Sequence, residues 1–171
     1  MVQNVLASIP SEDVAGIASI YVTAAPETHQ QHQRGAPGAY YPKHSQRPAY
    51  IAVYLKNLFG PVSNSPLAGH LLPILEWGLA QTIFHEIGHH QQHIRSHGVT
   101  KRTQEGYADA YAKERMRNYL RENADRIHGC FERIQTLAKS REVSLAAIEK
   151  IQAEWEAEYR KLIVSEKDSS E

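Results

Sequence analysis

Apolar residues return every four positions at Leu75, Leu79, Ile83 and Ile87, which predicts a core-facing helix over 66–97. Pro73 could divide that helix in two, and Gly98 is placed to stop it. Upstream the period changes. Ile17 to Ala24 (IASIYVTA) and Ala49 to Lys56 (AYIAVYLK) are rich in β-branched and aromatic residues and predict strands. Between them Pro26, Gly35, Pro37, Gly38, Pro42 and Pro48 predict one long loop over 25–48. Residues 2–9 predict a short helix ended by Pro10. Downstream the pattern is helical to the end. Thr103 can cap a helix whose apolar side carries Ala108, Tyr111, Ala112, Tyr119 and Leu120, and a further helix is expected over 123–140. The last helix starts at Ser144, stapled by Val143 and Ile148. Its stripe of Leu145, Ile148, Ile151, Trp155, Tyr159 and Leu162 is expected to be core or the seam of a homodimer.

Strands first and helices afterwards indicate an α+β fold: a small mixed sheet over one helix, with a helical C-terminal part. With 171 residues, the chain suits a single domain, expected over 1–165 with a frayed tail at 166–171. Hydrophobic residues at 42% and charged ones at 22% fit an ordinary folded protein rather than a disordered one. Lys+Arg and Asp+Glu balance at 19 each, so no nucleic-acid partner is expected. The single cysteine, Cys130, excludes an internal disulfide and any zinc site built from several cysteines. Residues 66–84 have about the length of a membrane span, but His70, Pro73, Glu76 and Gln81 interrupt them without a basic flank. A buried helix is the expectation, with no membrane partner. Met1 to Ala25 shows no basic n-region and no continuous apolar h-region, so no signal peptide is read there and a cytoplasmic setting is expected.

Histidine changes the picture. The chain has ten, and His85, His89, His90, His93 and His97 crowd the end of the apolar helix. His85-Glu86-Ile87-Gly88-His89 is the pattern H-E-x-x-H. Residues four apart lie on one helix face a turn apart, so both imidazoles can reach one metal ion while Glu86 stands beside it as a base for water. In a histidine-rich chain the string alone is only suggestive; its context carries more. Two imidazoles and a carboxylate inside an apolar helix would be buried at a cost, unless a metal holds them. Glu105 and Asp109, one turn apart on the next helix, share a face. Glu105 can then be the third ligand, and Asp109 can fix the far nitrogen of a ligand histidine, expected to be His85.

Together these residues resemble the gluzincin branch of the zincin metallopeptidases, over roughly residues 49–115. The resemblance implies a zincin-like fold and one Zn2+ per chain on His85, His89 and Glu105. It also implies Glu86 as catalytic base, Asp109 as its neighbour's hydrogen-bond partner, and the strand at 49–56 as the edge strand lining a peptide cleft. Size and the form Glu105, Ala108, Ala112 are also similar to small ImmA/IrrE-type peptidases, without their frequent helix-turn-helix domain. The metzincin pattern fails, because Gln92 and Arg95 stand where it needs glycine and histidine. His93 lies about 12 Å along the axis from His85, too far to converge with both ligands.

The expected activity is zinc-dependent hydrolysis of peptide or protein substrates, more readily as an endopeptidase. The alternatives are a metal-containing regulatory or binding module, and a helix that only packs. Tyr40, Tyr41, His44, Tyr107, Tyr111 and His128 stay open as oxyanion donors. His29 and His32 read as a solvated loop, His70 as structural, and His90 as a surface or packing residue. Arg115, Arg117, Arg121 and Arg126 read as a solvated face.

Overall fold

A computed structural model of the chain describes residues 2–26, 35–60, 68–96, 100–140 and 145–163. The short helix α1 (Val2–Ala7) and a 3-10 turn (Ser11–Val14) lead into strand β1 (Ile17–Thr23). Strands β2 (Gly38–Tyr41) and β3 (Ala49–Tyr54) follow, then the helices α2 (Leu55–Phe59), α3 (Leu72–Arg95), α4 (Lys101–Ser140) and α5 (Ala146–Ile163). The fold is α+β, with a three-stranded mixed sheet in the order β1-β3-β2. β1 runs parallel to β3 and β2 antiparallel.

That order corrects two expectations. The strand expected over 49–56 is the central strand, not an edge, and it ends at Tyr54, where Leu55 and Lys56 turn into α2. Ile51 and Val53 pack into the main core on one face and Ala52 and Tyr54 cluster with Ala39 on the other, which accounts for the run of buried residues from Ile51 to Tyr54. The edges are β1 and β2, and β2 lies inside the segment expected to be loop, between Pro37 and Pro42. Residues 27–34, with His29 and His32, lie outside the described residues.

The inner face of the sheet, with Ile51 and Val53, packs into the core beside Leu79, Ile83 and Ile87 of α3. Pro73 sits in the first turn of α3, where its missing N–H breaks no helical bond, so the helix is undivided from Leu72 onward. Gly98, the expected stop, lies outside the described residues; the helix closes with the Ser96 N–H donating to the Gln92 carbonyl. Thr100, not Thr103, caps α4: its Oγ1 accepts the Thr103 N–H at 3.3 Å. The two helices expected over 103–140 form one 40-residue helix. Arg121, Glu122 and Asn123, at the expected start of the second helix, lie inside this one, and none of those residues opposes a helix.

α5 lays Ile148, Trp155 and Leu162 in the same core, each about 4% exposed. These three residues of the stripe therefore pack within the chain's own core, while Leu145, Ile151 and Tyr159 are partly buried against it. Val143 and Ser144 of the expected staple, and the tail at 166–171, lie outside the described residues. No described helix is long and apolar enough to cross a membrane.

Two arginines expected on a solvated face serve buried carboxylates instead. Asp13 accepts hydrogen bonds from the Tyr111 hydroxyl (2.6 Å) and from Arg115 (2.8 Å), tying the first 3-10 turn to α4. Glu76 accepts from Arg126, from the Tyr119 hydroxyl (3.1 Å) and from Asn4 (3.3 Å). Arg117 donates to the Leu162 carbonyl at 3.1 Å, holding the end of α5.

Candidate metal centre

α3 and α4 pair in antiparallel order, Arg95 with Tyr107, Phe84 with Tyr119 and Glu76 with Arg126, and their backbones come close at two small residues. A Cβ on Gly88 would lie 2.6 Å from the Ala108 Cα, so only glycine lets the two backbones approach there. Gly88 separates Glu86 from the second histidine of the motif, and Ala108 lies between Glu105 and Asp109. The close crossing therefore brings the two halves of the expected site together.

The Nε2 atoms of His85 and His89 are 3.1 Å apart. Oε2 of Glu105 lies 3.5 Å from the first and 3.6 Å from the second. Ligand atoms about 2.0–2.1 Å from a tetrahedral centre lie about 3.3–3.4 Å from one another. The observed triangle is close to one face of such a tetrahedron, so these donors fit a zinc-sized ion and leave one corner without a donor from the trio. Oδ1 of Asp109 lies 3.1 Å from Nδ1 of His85. That contact calls for an N–H on Nδ1, which leaves the Nε2 lone pair turned toward the other donors. Burial, helped by the neighbouring His85, lowers the His89 pKa against the opposing pull of Glu105 and Asp109, which favours the neutral ring a metal requires.

Glu86 projects from the same turn on another side and is 6% exposed. Burial pushes its pKa up to about 7; the Tyr40 backbone N–H opposes the rise and the Glu105 charge adds to it. β2 can come this close because residue 38 is glycine: a Cβ there would meet Thr82 at 2.6 Å and Glu86 at 3.3 Å. A cavity of about 1060 Å³ opens over the group, with Gly38, Ala39 and Tyr40 of β2 on one wall and α4 and the end of α5 on the other.

The structure thus brings His85, His89, Glu105, Glu86 and Asp109 to one place, and His85, His89 and Glu105 are the described histidine and acidic residues grouped to hold a metal. It divides the oxyanion candidates. Tyr111 is engaged by Asp13, Tyr107 accepts a bond from Arg95, and Tyr41 pairs with Tyr54. His128 lies beside Trp155, and His44 bridges to Arg47 in the turn between β2 and β3. Of the six, Tyr40 alone lines the cavity. His93, set aside as a ligand, stands at the cavity wall outside the trio. Sequence reasoning passed over Gly38, Gly88 and the Tyr40 backbone N–H. The Gly88–Ala108 pair carried a signal, two small residues beside His89 and Asp109, but its meaning needs the helix crossing. No protein-family model matches the chain, and no curated protein or solved structure matches it either.

Proposed function

We propose that the protein is a zinc-dependent peptide hydrolase of the zincin kind, with His85, His89 and Glu105 holding the metal. The observation that carries this is the triangle of donor atoms at 3.1, 3.5 and 3.6 Å beside a buried carboxylate. Zinc bound there supplies Lewis acidity, polarising a carbonyl and making water more acidic.

The chain's own groups account for the rest. Asp109 holds the His85 ring with its Nε2 turned inward. Glu86, with a pKa near 7, accepts a proton from the attacking water at neutral pH and returns it to the leaving amine. Among the described residues no strand pairs with the outer edge of β2, and its Gly38, Ala39 and Tyr40 line the cavity, so an extended peptide can add there through backbone hydrogen bonds. Such binding selects for an extended backbone more than for particular side chains.

A peptide library incubated with the zinc-loaded protein tests the proposal. Cleavage is expected in the parent, and it should stop on chelation and in Glu86→Gln, which keeps its zinc. Absence of cleavage by the loaded parent, or undiminished cleavage by Glu86→Gln, overturns it.

A further inference from the structure

His90 follows the second ligand directly, yet it points elsewhere and is 2% exposed. Its Nε2 lies 2.9 Å from the Ala15 carbonyl oxygen, an acceptor only, so that nitrogen must carry the hydrogen. In the neutral ring Nδ1 then holds a lone pair, and it lies 3.0 Å from the Tyr40 hydroxyl, which donates to it. The two rings meet edge to face at 5.3 Å. The backbone N–H of the same Tyr40 donates to the Glu86 carboxylate. Thr82, Glu86 and His90 are spaced four apart on α3 and make one ridge, along which Gly38 and Tyr40 of β2 lie.

We infer that His90 is a positioning residue: through the Tyr40 hydroxyl it fixes β2 along α3, and through the Tyr40 backbone it fixes the carboxylate of Glu86. Ala15, α3 and β2 are thereby joined at one imidazole. The same bond commits the Tyr40 hydroxyl proton, so Tyr40 orients the base and is not the oxyanion donor. The catalytic consequence rests on the proposed hydrolase activity; the positioning itself does not.

The test uses the zinc-loaded full chain with His90→Asn, His90→Gln and Tyr40→Phe. Asparagine places an amide oxygen near the position of Nδ1 and can still accept from Tyr40. Glutamine instead reaches toward Ala15 and leaves Tyr40 without its acceptor. In the parent, nitrogen NMR of the ring should show the Nε2–H tautomer. Exchange of the Tyr40 amide hydrogen should speed up on the order of tenfold in His90→Gln and Tyr40→Phe, and much less in His90→Asn. kcat should fall in the same order with KM nearly unchanged, and the His90→Gln/Tyr40→Phe double variant should be no worse than either single one. Zinc content and circular dichroism identify any variant that fails to fold; Tyr40→Phe, which removes one oxygen, then decides. An Nδ1–H ring in the parent, equal losses in His90→Asn and His90→Gln, or additive losses in the double variant overturn the inference. If the parent cleaves nothing, the hydrolase proposal fails, while the tautomer and the amide exchange still decide the role of His90.

Discussion

Glu76 and Glu86 sit on the same helix, both nearly fully buried, and their surroundings push them in opposite directions. Burial alone would raise the pKa of Glu76, but Arg126 and the Tyr119 and Asn4 donors outweigh it and hold the group below 4.5. Glu86 meets one backbone N–H and a second carboxylate, and it rises to about 7. The first carboxylate closes a contact between α1, α3 and α4 and accepts from three side chains there, one of them charged. The second is kept short of partners in a cavity. Burial is common to both; what separates a structural carboxylate from a poised base is the count and sign of its neighbours.

Exchanging each for glutamine breaks the comparison most directly. Glu86→Gln should lower peptide cleavage by about 10²–10⁴-fold without loss of zinc, measured as kcat/KM and metal content. Glu76→Gln should leave zinc binding alone and cost about 1–2 kcal/mol of stability in urea unfolding, since solvent around Arg126 screens the pair. Cleavage that survives the first change, or zinc lost on the second, would mean that the two roles have been misassigned.

Next in size is the helix crossing. Gly88→Ala puts a methyl group 2.6 Å from the Ala108 Cα, so α4 must shift. About 1–3 kcal/mol of stability should be lost, and zinc affinity should fall with it because Glu105 moves away from the histidines. A variant with unchanged affinity would show that the crossing does not set the donor triangle. Asp109→Asn should weaken zinc binding by about tenfold, the low end for such partners, because the Asp109 side chain is 73% exposed. Competition with a chromophoric chelator measures both.

The smallest effect separates the two carboxylates by the sign of their pH dependence in the metal-free protein. The Glu76 pKa is depressed, so its stabilisation is present above about pH 4.5 and is lost as pH falls through its folded value. The Glu86 pKa is raised, so its neutral form favours the fold at low pH. That benefit is lost as pH rises from about 4.5 to about 7. Unfolding free energies measured across this range should lose their acid limb in Glu76→Gln and their falling limb above pH 4.5 in Glu86→Gln.

What could be read along the chain follows the range of each interaction. His85, Glu86 and His89 are set by the pitch of one helix, and Glu105 with Asp109 by the pitch of the next, so local periodicity was enough to pick them out. The α+β order and the amphipathic stripe of α5 were legible for the same reason. β2 was not, because four residues between prolines carry too little alternation to stand out. Nor was the central place of β3, since strand order depends on pairings across the chain. Arg115 and Arg126 looked solvated because Asp13 and Glu76, their partners, lie far away in sequence. The unbroken α4 was hidden by polar residues that face solvent without ending a helix.

The proposed centre requires that α3 and α4 together close three donors around one divalent cation. Zinc titration of the untagged, chelator-stripped protein measures it. About one zinc per chain is predicted for the parent, with sharply weaker binding in Glu105→Ala. A parent that retains no zinc, or a Glu105→Ala variant that binds it as tightly, would contradict the account.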